Sequence, residues 1–391
     1  MSRRLAVAAG LVGAAAALAV GGLHAGGSAR RTPPSGACRD WVEASAYRGP
    51  IAAARMLVPK MKRAFAAPGL SVAVAADGKL VWSESCGFAD LRRRVPVGRA
   101  TEFRIGSVSK VITAAAALRL SREGRLDLTA DIRRYVPRFP RARPRVTLLQ
   151  LGGHLGGIRH YRDDEVLNTT HYRSLANSLE VFIDDPLVAA PGERFSYSSF
   201  GFNLLGAAVE AAAGAPFARA VETAVSRPLR MRSTRLGTAV APGGTGFYEV
   251  TAERRAVRAP RIDLSDRYPS GGFLSTAEDL VRLGLGVTDR AFLEGRSRRL
   301  LFTSQRTNSG QATGYAFGLE VHNSPVGVVA GHTGNVVGGT SFLLIHPRTR
   351  VVVALTTNIG WVTAADPPDL SGVPDPPQLA LPFVRRALSR R

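Results

Sequence analysis

Ser107 and Lys110 stand three residues apart in "RIGSVSKVITAA", residues 104–115, ahead of an alanine-rich stretch that favours helix. Residues at this spacing share a helix face, so a hydroxyl and an amine come within hydrogen-bonding reach at the helix N-terminus. Burial and the positive end of the helix dipole both disfavour an ammonium there, leaving an amine able to take the serine proton. The chain holds 48 arginines and four lysines, Lys60, Lys62, Lys79 and Lys110. An arginine at 110 would stay protonated and accept nothing. The residue type therefore points to nucleophilic catalysis by Ser107. By itself Ser-x-x-Lys is a weak signal, and an exposed helix start explains it too.

Two further stretches supply what such a serine needs. In "PGERFSYSSFGFNLLG", Tyr197 precedes an apolar helix expected to begin near Ser199, so its phenol projects from a loop. Beside a cationic lysine it would lose its proton more easily, giving a general base for acylation and an acid for the leaving group. The plainer reading is a tyrosine anchoring a loop. In "AGHTGNVVGGTSFLLI", His332, Thr333 and Gly334 open a strand on which glycine lets a substrate backbone approach, with His332 and Thr333 bonding its carbonyl or carboxylate. The amides of Ser107 and Asn335 would form an oxyanion hole. A glycine-rich strand edge without a ligand is the bland alternative.

Other chemistry-bearing residues read as structural. His154 in "LGGHLGGIRH" is expected to support a loop near the cleft. His160, Asp163, Asp164, Glu165 and His171 read as a polar loop, since their spacing matches no helix-borne metal pair. No glycine-rich phosphate loop with a following lysine occurs, so neither metal nor cofactor is expected.

These residues need a scaffold. "LSVAVAADGKLVWSES" is two strands broken at Asp77-Gly78, a pair suited to a tight hairpin turn. A helix interrupted at Pro59 is expected over 51–65, and another from Ser107 to about Arg122, stopped by Gly124. Residues 126–251 read as helices joined by Pro- and Gly-containing loops. Ser275 to Glu278 reads as a capping box. Strand signals return at 315–321, 326–330, 340–345 and 351–356. The assembly expected is an α/β fold: one antiparallel sheet flanked by helices, with an inserted all-α subdomain at about 126–251 of a domain spanning 50–391.

The net charge of +22 comes from arginines spread along the chain without interleaved aromatics, so no nucleic-acid partner is expected. Arg3 and Arg4 precede an apolar run over 5–23, so residues 1–31 read as a signal peptide or an uncleaved membrane anchor, and 32–49 as a linker. The protein is then exported, periplasmic or membrane-anchored, with Cys38 and Cys86 free to pair. Oligomeric state is not legible.

The three motifs, in this order and spacing, resemble those of the penicillin-recognising serine hydrolases: class C β-lactamases, D-alanyl-D-alanine peptidases and related esterases. "GRLDLTADIRRYVPRFP", "LGGHLGGIRHY" and "GGFLSTAEDL" extend the resemblance toward mitochondrial serine β-lactamase-like proteins, over about residues 50–388. It implies a β-lactamase/transpeptidase-like fold, Ser107 as acylated nucleophile, Lys110 and Tyr197 as proton-transfer pair, and His332-Thr333-Gly334 with Ser199 as the substrate-binding groups. Ser199 stands where β-lactamases have asparagine, and His332 where most have lysine. The expected activity is therefore on small peptides, amides or esters rather than on β-lactams. The rival readings are a non-catalytic binding or structural protein of the same fold, and a weak β-lactamase.

Overall fold

The computed structural model describes residues 36–237, 244–362 and 376–390. The apolar run at 5–23, read as a signal or anchor, and the proline-rich residues 366–375 lie outside the described residues.

Seven main strands are β1 (Arg39–Glu43), β2 (Gly69–Ala76), β3 (Lys79–Asp90), β4 (Glu320–Ser324), β5 (Gly327–Val336), β6 (Gly339–His346) and β7 (Val351–Thr357). They join in the order β1-β3-β2-β7-β6-β5-β4, with Val95–Pro96 pairing off β3, and every pairing is antiparallel. The early hairpin turns at Asp77 and Gly78, both at positive φ, as the Asp-Gly pair requires. It meets the late strands through β2 and β7, Ala73 opposite Ala354.

Strand side chains alternate between faces, so the sheet has two cores. Val72, Val74, Phe342, Val353 and Leu355 face a layer made by α1 (Arg48–Arg55), α2 (Val58–Ala64) and the C-terminal helix. Ala73, Ala75, Leu343, Val352 and Ala354 face α3 (Ser109–Arg122), α4 (Ser199–Ala213) and α5 (Ala277–Thr288). The small side chains on the second face admit helices closely. Gly284 of α5 packs so tightly that a Cβ there would lie 2.4 Å from Val352. Phe383 of α6 (Pro376–Ser389) is fully buried on the first face, which is worth about 1.5–3 kcal/mol relative to exposure.

Short strands tie the helical stretch back to the sheet region. Arg235–Leu236 and Phe103–Arg104 both pair with Phe273–Ser275, directly ahead of the nucleophile turn.

Three local expectations shift. The strand expected at 315–321 begins only at Glu320, because Gly314 and Gly318 take positive φ and turn Tyr315–Leu319 inward as a loop. The cap of α5 is Thr276, whose hydroxyl accepts the Asp279 amide, while Ser275 and Glu278 are held by Thr234 and Arg99. Ser107 sits in a 3-10 turn, Gly106–Val108, that runs into α3 instead of opening it.

Candidate active site

The turn carrying Ser107 lies flat against β5 because two glycines permit it. A Cβ at Gly334 would sit 2.1 Å from the Ile105 carbonyl oxygen, and one at Gly106, whose φ is +47°, would sit 2.9 Å from the Asn335 nitrogen. The Ser341 hydroxyl donates to the same Ile105 carbonyl at 2.8 Å. Ser107 is thereby fixed between a strand and a helix start.

Lys110 is completely buried. Its Nζ lies 2.9 Å from Ser107 Oγ, 3.1 Å from Ser199 Oγ and 2.8 Å from the Ser270 carbonyl oxygen. No carboxylate is among these partners, and burial pushes its pKa well below the ordinary lysine value. A neutral amine has two hydrogens and one lone pair. The hydrogens suit the Ser270 carbonyl and the Ser199 hydroxyl, and the lone pair then receives the Ser107 hydroxyl.

Tyr197 approaches the same oxygen from the other side, its phenol donating to Ser107 Oγ at 2.9 Å. It is held there by α4, whose N-cap Ser198 accepts the Gly201 amide at 2.8 Å. Burial raises the Tyr197 pKa, so the expectation of an easily ionised phenol is corrected: an uncharged amine provides no cation to lower it. Tyr197 is a hydrogen-bond donor in this site, and Lys110 is the group with a free lone pair.

The residues expected to bind substrate separate into three groups. Asn335 lines the cavity beside Ser107, with its backbone nitrogen against the nucleophile turn. Ser199 lines it too, but its hydroxyl bonds Lys110. His332, Thr333 and Gly334 depart from expectation. The His332 ring is buried, its Nδ1 2.6 Å from the Thr333 carbonyl oxygen and its Nε2 2.9 Å from the Tyr315 hydroxyl. Burial holds it down to about 3, so it is neutral and does not form an ion pair with a carboxylate. Thr333 lies opposite Phe342 in the ladder, and both line the groove between the sheet and α6. Gly334 admits the nucleophile turn, not a substrate backbone.

The cavity at Ser107 measures about 140 Å³ and is lined also by Tyr161, Val337 and Arg267. A larger groove of about 600 Å³ lies between the sheet and α6 and does not include Ser107. Arg267, Ser270, Tyr161 and Tyr315 were not singled out from the sequence as parts of the site. Arg267 pairs with its neighbour Asp266, but its contacts to Glu165 and Val166, the Ser270 contact to Lys110 and the Tyr315 contact to His332 join separate segments, and no local motif announces them.

The polar loop does not converge on one point. Glu165 forms a two-pronged pair with Arg159, His171 bonds Asp263 at 2.9 Å, Asp164 is exposed and Asp163 opens the one-turn helix Asp163–Leu167. His154 and His160 both turn toward the start of α4. Among the described residues, the one close group of metal-ligating types is Cys38, Glu84 and Cys86, and its two cysteines are joined as a disulfide.

A nucleophilic serine held between a buried amine and a phenol, on an antiparallel sheet flanked by helices, is the arrangement of a β-lactamase-type fold. The family described as Beta-lactamase matches residues 55–366, and the chain belongs to that family. It is 31% identical over 305 residues to the human serine beta-lactamase-like protein LACTB, mitochondrial, covering 60% of this chain and 56% of that protein. The chain thus spans little more than half the length of that relative. Protein flp of Staphylococcus aureus (strain MRSA252) is 25% identical over 303 residues, covering 75% of this chain and 60% of flp. Among solved structures, D-amino acid amidase from Ochrobactrum anthropi SV3, complexed with L-phenylalanine amide, superposes with a TM-score of 0.70 at 21% identity, covering 86% of this chain and 100% of the amidase. That likeness is one of fold. Family and neighbours together support a serine-hydrolase type of function.

Proposed function

We propose that the protein is a serine hydrolase that forms an acyl-enzyme at Ser107 on small amide or ester substrates. The observation that carries this reading is the hydrogen-bonded chain from the Tyr197 phenol through Ser107 Oγ to the buried Lys110 amine, which has no carboxylate partner.

Lys110 takes the Ser107 proton as Oγ bonds to the substrate carbonyl carbon, and the amides of Ser107 and Asn335 receive the developing oxyanion. Collapse breaks the bond to the leaving group, which takes the Tyr197 proton, and the surplus proton on Lys110 restores the phenol. Water then attacks the acyl carbon, giving its proton to Lys110, and the acid leaves as Ser107 regains that proton. A neutral, buried His332 whose ring nitrogens already meet the Thr333 carbonyl oxygen and the Tyr315 hydroxyl provides no cation for a substrate carboxylate. This favours amides and esters over substrates with a free C-terminal carboxylate, and the amidase neighbour supports the same direction. Export to an oxidising compartment is supported by the Cys38–Cys86 disulfide, which ties the N-terminal strand region to β3. Membrane association through residues 1–31 is part of the same proposal.

A fluorophosphonate probe should add its mass to the wild type and leave Ser107→Ala unmodified. Equal labelling of both proteins, or none of either by any acyl donor, overturns the assignment.

A further inference from the structure

The segment around Tyr197 is laced to residues 154–160. The Ser196 amide donates to the His154 carbonyl oxygen at 2.9 Å, and the Ser198 amide donates to His154 Nδ1 at 3.0 Å. One histidine thus grips the chain on both sides of Tyr197. The Ser198 hydroxyl donates to the Arg159 carbonyl oxygen at 2.7 Å, and the Ser199 amide donates to His160 Nδ1 at 3.2 Å. The rings complete the enclosure: His154 lies 4.3 Å from the Tyr197 ring, tilted, and His160 5.4 Å from it, edge-on.

A buried histidine that merely fills space would satisfy both ring nitrogens. His154 does not: its Nε2 has no hydrogen-bond partner although the residue is 2% exposed, and its backbone takes φ +58°. An unmet buried donor is destabilising, and positive φ adds to that cost for a residue with a Cβ. An apolar side chain would avoid the first cost and lose only the acceptor for Ser198. Each Nδ1 faces an N–H, so both rings must carry their proton on Nε2 and remain neutral. Their surroundings enforce this: burial holds His160 down to about 4 and His154 well below the usual histidine range.

We propose that His154 and His160 are paired positioning residues, whose unprotonated Nδ1 atoms cap the first amides of α4 and so set the Tyr197 phenol and the Ser199 hydroxyl on either side of the Ser107–Lys110 contact. The proposal rests on the hydrolase reading for its kinetic consequence, but its geometry can be tested apart from it.

Long-range proton–nitrogen NMR on histidine-labelled wild type reads the tautomers directly. The expected spectrum shows His154 and His160 with bare Nδ1 and protonated Nε2. A proton on Nδ1 of either ring overturns the cap whatever the enzyme does. In parallel, the rate of fluorophosphonate labelling at Ser107 and the kcat and KM for a p-nitrophenyl ester are compared across variants. His154→Phe and His160→Phe keep a ring without an acceptor and should lose about 100-fold in labelling rate and kcat with little change in KM. His154→Asn and His160→Asn place an amide oxygen where Nδ1 stood, and asparagine tolerates the positive φ at 154, so most of the rate should return. Wild-type labelling rates in the folded phenylalanine variants sink the proposal. If wild type itself never labels, the hydrolase reading fails and the tautomers still decide the cap. Since they are measured on wild type, a phenylalanine variant that fails to fold leaves the proposal open to disproof.

Discussion

Two basic side chains lie buried beside one small cavity, and the protein treats them in opposite ways. Arg267 is held by Asp266 through Nε at 2.7 Å and Nη2 at 2.8 Å, caps the carbonyl oxygens of Val166 and Glu165 at 2.9 Å, and lies over the Tyr161 ring. Its pKa is raised despite burial. Lys110 has a carbonyl and two hydroxyls and no acid, and its pKa falls. A buried charge survives only where a counter-charge offsets its lost hydration. Arginine with a carboxylate keeps its charge here, and lysine without one is pushed toward the neutral amine. The use of lysine at 110, in a chain so rich in arginine, is explained by the second environment.

Putting an arginine into the lysine's environment is the sharpest way to break this contrast. Lys110→Arg retains a cation but cannot give up its proton, and nothing acidic waits for it. Labelling of Ser107 should fall by about 10³-fold or more, measured as the second-order rate with a fluorophosphonate. The thermal transition of the variant should also fall. A variant that labels within 10-fold of wild type would mean that residue 110 does not act as the base.

Depriving the arginine of its acid tests the other half. Asp266→Asn leaves the Arg267 guanidinium buried without its counter-charge, and Asn168, whose side-chain amide donates to Asp266 at 3.2 Å, then faces a weaker acceptor. Urea denaturation should show a loss of about 3–5 kcal/mol. A loss below about 1 kcal/mol would show that solvent screens this pair and that the two cations differ less than their partners suggest.

The sequence made the grouping of Ser107, Lys110 and Tyr197 legible, but not the orientation of everything around it. Ser107, Lys110 and Tyr197 depend on local signals: a helix start, a three-residue spacing, a loop ahead of an apolar helix. Asp77-Gly78 likewise defined the hairpin from its own turn chemistry. His332 and Thr333 were placed on the correct strand, yet their directions depend on how β5 pairs with β6, and one residue of register sends each side chain to the opposite face. Tyr315 was read as strand, although glycines on either side turn it inward to meet His332. Arg267 and Ser270 reach the site only through tertiary packing against α3 and α4. Periodicity carries no information about such contacts.

The smallest effect, and the most direct measure of the contrast, is the pH dependence of stability. Below the unfolded lysine pKa near 10.4, the unfolded chain binds a proton at residue 110 that the folded chain excludes. Wild-type stability therefore gains from this group as pH rises, from its depressed folded pKa up to that of the unfolded chain. Lys110→Met removes the titration while filling similar space. The stability difference, wild type minus Met, should rise with pH between the depressed folded pKa and about 10, approaching about 1.4 kcal/mol for each pH unit inside that window, measured by urea denaturation across a pH series. Met should compare most favourably at the low end, where expelling the proton costs most. Other titrating groups are common to both proteins and largely cancel. Parallel curves would mean that Lys110 is charged in the fold, and the distinction between the two buried cations would vanish. A rising difference, by contrast, would establish the uncharged amine without any substrate, and so independently of what the enzyme hydrolyses.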